Sequence, residues 1–311
     1  NKMNFKLLKE IMNLSNASYL VLDDYYLPVY LFKPNSTLKV IQLWHAAGAF
    51  KKFGYSTLGK KFGPDEYYLR LIPIHSNYTH VYVSSKKVVN YYAEAFNMNV
   101  NNIFPVGIPR TDLFYQEDKC DLIKASIYRR FNHIAKLDES INILVAPTYR
   151  ADGLQKESTF DLLKSLMKLS DQMDSKIRIL FKPHPYMDKG NLKTILEYVN
   201  ITVAERFSIN EWMLVSDAFI TDYSSSIFEF ALLKRPMAHV IPDMKEYEDN
   251  RGFYQEVSTA SDGVILENND ALLKWINERK KHEYYDTTRM VKHNFDNLEN
   301  VSGKIVRHFV Q

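Results

Sequence analysis

Ten short apolar runs recur along the 311-residue chain, and helical patterns separate most of them. Strands that are buried on both faces of a parallel sheet read as continuous apolar runs, and helices usually connect them. The pattern therefore predicts an α/β fold with parallel sheets. The predicted strands lie at residues 19–24, 38–46, 80–85, 102–107, 141–147, 177–183, 201–204, 217–221, 237–241 and 263–267. The predicted helices lie near residues 3–14, 85–97, 120–136, 157–174, 190–199, 209–215, 225–234, 270–280 and 285–310.

A polar segment around residues 108–140 interrupts this alternation, and a new apolar strand begins at Ile141. The chain is long enough for two domains of ordinary size. We therefore predict two Rossmann-like domains, residues 1–135 and 136–311, with parallel sheets that face a central cleft. The C-terminal helix is free to pack back on the first domain. The alternative is one large doubly wound sheet.

The composition argues against several classes of protein. A net charge of +3 is too small to indicate a nucleic-acid partner. Cys120 is the single cysteine, which excludes an internal disulfide framework and a cysteine-based zinc site. No apolar run approaches the ~18 residues that a membrane-spanning helix needs. The polar, helix-patterned start of the sequence is unlike a signal peptide.

Polar and charged side chains follow several predicted strands at their carboxyl ends. Ligands of open parallel sheets bind beyond those ends, so several such side chains predict one shared site. Each has a plainer reading as a buried core histidine, a proline-fixed turn, a solvated charge or a helix cap. The residues in question are His45, Arg110, Thr111, Thr148, Arg150, Lys182, His184 and Asp222.

The segment "TDYSSS", residues 221–226, joins a predicted strand to a predicted helix. One serine is enough to cap a helix. Three small residues, Ser224, Ser225 and Ser226, also let a ligand approach the backbone, and their hydroxyls can bind phosphate oxygens. The segment therefore predicts an anion site, with a redundant cap as the alternative. Glu229 follows about one turn later, within reach of a ribose hydroxyl.

The sequence predicts neither a metal nor a cofactor. Asp23 and Asp24 are adjacent acids in an extended stretch, so their side chains point to opposite faces. No cluster of His, Asp or Glu has convincing ligand spacing. Neither GxxxxGK[ST] nor GxGxxG occurs, which argues against ATPase and dehydrogenase functions.

A basic and aromatic stretch covers residues 49–63. Such a composition suits an anionic membrane surface or a phosphate-rich polymer. The alternative is a charged surface loop. The residues that would form the patch are Lys51, Lys52, Phe53, Lys60 and Lys61.

Seven motifs, in chain order, make this sequence resemble the CDP-glycerol glycerophosphotransferases of bacterial teichoic acid synthesis. They are "QLWHAAGAFKKFGYS" (42–56), "HSNYTHVYVSS" (75–85), "VGIPRTD" (106–112), "APTYR" (146–150), "KPHP" (182–185), "TDYSSSIFEFALLKRPM" (221–237) and "YEDNRGFY" (247–254). The resemblance implies a GT-B fold, in which the C-terminal domain binds the nucleotide and the N-terminal domain faces the acceptor and the membrane. It also implies transfer of glycerol phosphate from CDP-glycerol to a hydroxyl, with release of CMP.

The resemblance also implies roles for individual residues. His45 matches a histidine proposed as the base, and His184 matches a contact to the nucleotide diphosphate. The segment from Asp222 through Tyr223 to Ser226 matches further contacts of that kind. Apart from the resemblance, their places at strand ends and beside the serine run predict that further residues bind substrate or nucleotide, namely Arg110, Thr111, Thr148, Arg150, Lys182 and Glu229. His184 is also predicted to be catalytic, because with Arg150 and the serine hydroxyls it would stabilise the leaving CMP in place of a metal. Many polymerases of the family read Trp-His-Gly-Thr-Pro where this chain reads Trp-His-Ala-Ala-Gly, which leaves the subfamily open.

The implied acceptor is a lipid-linked saccharide or a growing polyol-phosphate chain, at the cytoplasmic face of the membrane. Three alternatives stay open at this point. CDP-ribitol is a second possible donor, and a GT-B glycosyltransferase would use a UDP-sugar instead. A module that binds an anionic polymer would need no chemistry, although the two histidines argue against it.

Overall fold

The computed structural model describes residues 5–61, 63–135, 139–148, 161–185, 187, 192 and 194–311. The chain forms two compact units. Unit 1 comprises Asn1–Asp112, Glu248–Glu256 and Lys292–Gln311. Unit 2 comprises Leu113–Tyr247 and Val257–Val291.

Ten strands, thirteen α-helices and eight short 3-10 helices are present among the described residues. The strands are β1 (Tyr19–Leu22), β2 (Lys39–Gln42), β3 (His80–Tyr82), β4 (Ile103–Phe104), β5 (Ile141–Val145), β6 (Ile177–Phe181), β7 (Ile201–Val203), β8 (Ala218–Thr221), β9 (Met237–Val240) and β10 (Val264–Leu266). The helices are α1 (Phe5–Ser15), α2 (Glu66–Leu71), α3 (Val89–Phe96), α4 (Glu117–Arg130), α5 (Asn132–Ala135), α6 (Leu162–Leu169), α7 (Ile209–Met213), α8 (Ser226–Phe230), α9 (Met244–Asn250), α10 (Val257–Ala260), α11 (Asn269–Asn277), α12 (Thr288–Asn294) and α13 (Val301–Val310).

Each unit contains one parallel sheet, which confirms the predicted α/β fold class. The sheet of unit 1 has the strand order β1-β2-β3-β4. The sheet of unit 2 has the order β10-β9-β8-β5-β6-β7. The chain runs outward from β5 through β6 to β7, and then returns to pair β8 with β5. The strand order therefore reverses between β5 and β8, where open sheets of this type bind ligands.

Both sheets have apolar cores that the strand pattern predicts. In unit 2 the strands β5, β6 and β8 pack with α6 and α11, and β5 is buried along its whole length. In unit 1 one face of the sheet packs against α3. Ile41 and Tyr82 on another face contact Val301, Ile305 and Phe309 of α13.

The units differ in extent from the two predicted domains. Residues 113–135 belong to unit 2, because the Phe131 ring packs on the Trp212 ring with centroids 5.0 Å apart and Ile127 of α4 is fully buried. Residues 248–256 and 292–311 belong to unit 1. That the N-terminal domain binds the acceptor and the C-terminal domain binds the nucleotide stays a prediction.

The single helix predicted over residues 285–310 is wrong. The structure has α12 and α13, and Asn300 between them has a left-handed backbone with φ of 50°. The start of α13 is stabilised by Asp112, whose carboxylate accepts hydrogen bonds from the Val301 and Ser302 amides at 2.7 and 2.8 Å. A carboxylate satisfies the unpaired amides of a helix start and favours its partial positive charge.

Candidate active site

His45 lies three residues beyond β2, at the carboxyl edge of the sheet of unit 1. Its Nδ1 atom is 2.9 Å from the backbone oxygen of Asp23, which follows β1. A carbonyl oxygen only accepts, so Nδ1 carries a proton, and in the neutral ring the lone pair is therefore on Nε2. The His45 side chain is 49% exposed. The partly exposed ring can therefore use Nε2 as a base when it is neutral.

An aromatic platform holds the His45 ring. The ring stacks on Trp44 with centroids 4.4 Å apart and an angle of 26°. Trp44 has a left-handed backbone with φ of 53°, and its indole packs against Phe53 and Phe96 at 5.5 and 5.2 Å. Arg110 donates from Nη1 to the His45 carbonyl oxygen at 2.6 Å. The side chain is therefore fixed by its neighbours although one edge is exposed.

Asp24 is a charged neighbour that the sequence reading considered only as part of an unlikely metal pair. Its carboxylate lies 3.8 Å from His45 Nδ1. At that distance it is too far from the ring nitrogen for a hydrogen bond, so Asp24 lies beside the imidazole without holding it.

His75 is a buried histidine of unit 1 that the sequence reading did not single out. Its ring packs edge-on against Trp44 at 5.6 Å, and Nδ1 lies 3.2 Å from the Tyr78 hydroxyl. Burial lowers the pKa of His75 to about 4, so this imidazole is neutral at physiological pH. The Tyr78 hydroxyl also hydrogen-bonds to the Tyr30 hydroxyl. The only sequence signal for His75 is its place in the motif "HSNYTH".

Thr111 and Arg110 have different surroundings although they are adjacent. The Thr111 side chain is fully buried and donates to the Ile108 carbonyl oxygen at 2.9 Å. Thr111 therefore contributes to the packing of unit 1, and its role in ligand binding stays a prediction. Arg110 contacts the backbone of the His45 segment, as described above.

Thr148 and Asp222 meet at the switch point of unit 2, between the ends of β5 and β8. The Asp222 carboxylate accepts from the Thr148 amide and the Thr148 hydroxyl, each at 2.8 Å. Asp222 is only 2% exposed. Asp222 therefore fixes Thr148, at the described start of the loop after β5, and its contact with a ligand stays a prediction. Arg150, predicted on the same loop, lies outside the described residues.

The serine run forms a local cap and also has accessible polar atoms. The Ser224 hydroxyl accepts from the Ser226 amide at 3.3 Å and lies 2.7 Å from the Ser226 hydroxyl. Ser225 is the N-cap residue of α8, and its carbonyl oxygen accepts from the Phe228 amide at 3.0 Å. Ser226 is buried, whereas Ser224 and Ser225 are half-buried. The two half-buried serines are therefore the better candidates for contact with an anion.

Tyr223 and Glu229 are buried beside the serine run. The Tyr223 hydroxyl donates to Asp243 at 3.1 Å, and its ring stacks on Tyr247 with centroids 3.8 Å apart. Glu229 lies in α8 and is 1% exposed. Both side chains pack beneath the run, and their contact with a nucleotide stays a prediction.

Lys182 and His184 follow β6 and are both half-buried. The Lys182 ammonium donates to the Phe207 carbonyl oxygen at 2.6 Å, and burial lowers the pKa of this group. The His184 carbonyl oxygen accepts from the Met187 amide at 2.9 Å, which closes a turn. The structure thus places both residues at the carboxyl edge of the sheet of unit 2.

His239, in β9, is a second histidine that the sequence reading missed. It is fully buried, and Nδ1 lies 2.7 Å from the Asp222 carbonyl oxygen. Nε2 lies 2.9 Å from the Ser261 hydroxyl. The carbonyl only accepts, so Nδ1 donates and Nε2 accepts from Ser261. A Cβ atom at Gly263 would lie 2.9 Å from the His239 ring, which explains the glycine there.

We expect the stability of the protein to fall between pH 6.5 and pH 4 partly because of His239. Burial lowers the pKa of His239 to about 4, whereas an unfolded histidine titrates near ~6.5. In that window the unfolded chain binds the extra proton, so the free energy of unfolding decreases as the pH falls. A difference of this size corresponds to about 3 kcal/mol. Denaturant unfolding at pH 7 and at pH 4.5 measures the loss.

The matched variants for this experiment are His239→Asn and His282→Asn. The first removes the buried imidazole, and the second removes an imidazole whose side chain is 82% exposed. His239→Asn should flatten the pH dependence, and His282→Asn should leave it as in the parent. An unchanged slope in His239→Asn would contradict the assignment.

The first half of the basic and aromatic stretch contacts residues 251–255, which also belong to unit 1. Lys51 forms an antiparallel bridge with Phe253, and the Lys52 amide donates to the Gly252 carbonyl oxygen at 2.9 Å. The Tyr254 ring packs edge-on against the Phe53 ring, with centroids 6.2 Å apart. Lys51, Lys52 and Phe53 are therefore held against the body of unit 1.

Lys60 and Lys61, by contrast, have exposed side chains. They lie between exposed Leu58 and α2, where Tyr67 and Leu71 are 70% and 63% exposed. The charged and apolar surface of this stretch thus comes from its second half and from α2.

No group of three or more His, Cys, Asp or Glu side chains is arranged to hold a metal ion in the described part of the chain. Among the same residues, no helix has both the length and the apolar character to cross a membrane.

The chain matches a family model over residues 1–310, and that family is described as CDP-glycerol:poly(glycerophosphate) glycerophosphotransferase. The teichoic acid ribitol-phosphate primase of Bacillus spizizenii is 38% identical over 255 residues, which are 82% of this chain and 64% of that protein. The teichoic acid poly(ribitol-phosphate) polymerase of the same organism is 33% identical over 97% of this chain and 48% of its own length. The teichoic acid glycerol-phosphate primase of Bacillus subtilis is 25% identical over 87% of this chain and 68% of its own length. The chain thus spans between about half and two thirds of these relatives.

Solved structures share the fold. The wall teichoic acid polymerase TagF superposes with a TM-score of 0.69 at 23% identity, over 94% of this chain and 72% of that one. A UDP-GlcNAc 2-epimerase from Methanocaldococcus jannaschii superposes with a TM-score of 0.63 at 17% identity, over 98% and 79% of the two chains. At these identities the likeness concerns the fold alone.

Proposed function

The chain belongs to the CDP-glycerol:poly(glycerophosphate) glycerophosphotransferase family, and from that premise we propose that it transfers a polyol phosphate from a CDP-linked donor to an acceptor hydroxyl. The structural observation that carries the proposal is the His45 imidazole, whose Nδ1 donates to Asp23 and whose Nε2 is available as a base. The polymer built in this way would be teichoic acid or a related polymer of the cell wall or capsule.

In the proposed reaction the acceptor oxygen attacks the phosphorus that carries the polyol. The new bond joins the acceptor oxygen to that phosphorus, and the bond to the oxygen that bridges the two phosphates breaks. CMP leaves with the bridging oxygen, and the acceptor proton moves to His45 Nε2. A positioned base of this kind typically accelerates a reaction by ~10²–10⁴-fold.

We propose that unit 2 binds the donor at its switch point. Half-buried Ser224 and Ser225 offer hydroxyls, and Lys182 and His184 follow the nearby strand β6. Donors fixed in advance can stabilise the charge that develops on a leaving phosphate without a metal. Asp222 and Thr148 keep the loop after β5 in place through their paired hydrogen bonds.

The polyol can be glycerol or ribitol, and different observations favour each. The family is described by glycerophosphate transfer. The relatives that are 38% and 33% identical are named for ribitol phosphate, whereas the Bacillus subtilis relative named for glycerol phosphate is 25% identical. We propose that the transferred group is glycerol phosphate, as in the description of the family, and that ribitol phosphate is the second candidate.

The experiment that tests this proposal offers CDP-glycerol and CDP-ribitol separately, each with a lipid-linked disaccharide acceptor. Mass spectrometry of the extracted lipid shows which polyol phosphate is added and how many units follow. Addition of one unit indicates a primase, and a ladder of products indicates a polymerase. An unmodified acceptor with both donors would refute the proposed function.

We further propose that the acceptor is a lipid-linked saccharide or polyol-phosphate chain, and that the protein works as a peripheral protein at the cytoplasmic face of the membrane. The supporting feature is the surface of Leu58, Lys60, Lys61 and the exposed residues of α2. Aromatic and aliphatic side chains beside lysines suit the interface of an anionic bilayer.

We expect the double substitution Lys60→Glu and Lys61→Glu to weaken binding to anionic vesicles at least ~10-fold, since each basic residue near such a surface contributes ~1 kcal/mol. Sedimentation with vesicles that contain phosphatidylglycerol measures the partition. Lys164→Glu with Lys168→Glu is the matched control, because both lysines are exposed on α6 of unit 2 and the net charge changes equally. Equal partition of the parent and both double variants would rule out this surface.

A further inference from the structure

Gln42 is a fully buried polar residue at the end of β2, and both ends of its side-chain amide are used. Its Oε1 atom accepts from the Trp44 amide at 2.9 Å. Its Nε2 atom donates to the Asp24 carbonyl oxygen at 3.0 Å. The Gln42 side chain therefore ties the loop after β1 to the loop after β2.

These two loops carry the two partners of one hydrogen bond. The loop after β1 supplies the Asp23 carbonyl oxygen, and the loop after β2 supplies the His45 ring, whose Nδ1 is 2.9 Å away. The position of the imidazole relative to Asp23 thus depends on the distance between the two loops. Gln42 limits that distance because it is hydrogen-bonded to both loops. The Leu43 amide also donates to the Leu22 carbonyl oxygen at 2.7 Å. This hydrogen bond holds β1 and β2 together at the point where the two loops begin.

The tautomer of His45 follows from this geometry. As long as Nδ1 donates to Asp23, the proton is on Nδ1 and Nε2 can accept the proton of an alcohol. If the loops separate, Nδ1 loses its acceptor and the proton can occupy either ring nitrogen. An imidazole with its proton on Nε2 cannot act as a base through that atom.

We propose that Gln42 is a positioning residue, which keeps His45 in the Nδ1–H tautomer with Nε2 as the base. This inference rests on the proposed function for its catalytic consequence, but the tautomer itself is a property of the free protein. Misplacement of a catalytic group by about 1 Å can reduce a rate by ~10²-fold. Gln42 itself need not contact a substrate.

The test compares Gln42→Met with Gln42→Glu. Gln42→Met removes the hydrogen bonds to Trp44 and Asp24 at similar volume, together with the contact of the amide to the Tyr78 hydroxyl. A carboxyl group buried at this position has a raised pKa and stays protonated at neutral pH. It then keeps an acceptor for Trp44 and a donor for Asp24. Tyr82→Phe is the control, because it removes one hydrogen bond, to His308 Nδ1, on the face that α13 covers.

The first readout is the tautomer of His45, from ¹⁵N chemical shifts of the imidazole in each folded variant. We expect the Nδ1–H tautomer in the parent, in Tyr82→Phe and in Gln42→Glu, and a mixture of tautomers in Gln42→Met. If Gln42→Met does not fold, Gln42→Glu at higher pH replaces it, because ionisation of the introduced carboxyl removes the donor to Asp24. An unchanged Nδ1–H tautomer under these conditions would overturn the inference.

The second readout is turnover with the CDP-linked donor. We expect kcat to fall by ~10²-fold in Gln42→Met, to recover in large part in Gln42→Glu, and to be unchanged in Tyr82→Phe. The KM for the donor should be the same in all three, because Gln42 belongs to unit 1 and the proposed donor residues belong to unit 2. A loss of donor affinity with an unchanged kcat would contradict the positioning role. A parent that never releases CMP would refute the proposed function, while a shifted tautomer in Gln42→Met would still support the role of Gln42.

Discussion

His45→Ala is expected to reduce the rate of polyol phosphate transfer by ~10²–10⁴-fold, the usual contribution of a general base. The affinity for the CDP-linked donor should stay within about twofold of the parent, because the proposed donor residues belong to unit 2. The stability should change little, since the imidazole is half exposed and makes one hydrogen bond, to Asp23. Rapid-quench kinetics and calorimetric titration of the donor measure the two quantities.

Added imidazole provides the control for this variant. The alanine would leave an open space on the Trp44 ring, so free imidazole should restore part of the transfer rate. Rescue should be strongest above pH 7, where free imidazole is mostly neutral. Transfer at the parent rate in His45→Ala without imidazole would remove His45 from the role of base.

Asp222→Ala is expected to damage both the stability of unit 2 and donor binding. The substitution leaves the Thr148 amide and hydroxyl without their carboxylate partner. Each hydrogen bond to a charged group contributes ~1.5–3 kcal/mol, so the two together can lower the free energy of unfolding by ~3 kcal/mol or more. Because the loop after β5 then loses its anchor, donor affinity should fall at least ~10-fold. Denaturant unfolding and donor titration measure the two effects.

Thr148→Val is the matched control for Asp222→Ala. It removes the hydroxyl hydrogen bond and retains the one from the backbone amide, so its effect should be intermediate in both measurements. The double substitution should cost less than the sum of the single ones, since the residues form one network. Parent-like donor affinity in a folded Asp222→Ala protein would exclude the loop after β5 from the donor site.

The sequence predicted the strands well because their signal is local. All ten predicted strands are present, each shorter than its apolar run by one to several residues. The run at residues 38–46, for example, contains β2 only from Lys39 to Gln42. Residues 43–46 of the run follow β2 and include Trp44 and His45. The backbone leaves the extended conformation at Trp44, where φ is 53°.

The helices were harder to predict where a distant residue decides their ends. α13 begins at Val301 because the carboxylate of Asp112, about 190 positions earlier, accepts from its first amides. No local pattern contains that information. The four-residue helix α10, for which no helix was predicted, has too few turns for a helical period to be recognised.

For the candidate site, the sequence predicted which residues lie at strand ends but not which of them are buried. Sequence placed His45, Thr148, Lys182 and the serine run at strand ends, and they lie there. It gave no means of separating the half-buried Ser224 from the fully buried Tyr223 one position earlier. Burial depends on the elements that pack over a residue, in this case on Tyr247 of α9.

Supporting residues were missed for a related reason. Gln42 and His239 lie within predicted apolar runs, where each looks like an ordinary polar interruption. Their importance comes from hydrogen bonds to backbone atoms of neighbouring loops, at Asp24 and at Asp222. Such contacts connect parts of the chain that only the fold brings together.

The identity of the released nucleotide tests the central claim most directly. The purified protein is incubated with a CDP-polyol and a hydroxyl acceptor, and the nucleotides are separated by anion-exchange chromatography. Attack at the phosphorus that carries the polyol predicts one CMP for each polyol phosphate transferred, and no CMP without acceptor. Release of CDP, or of UDP from a UDP-sugar with no CMP from either CDP-polyol, would contradict polyol phosphate transfer.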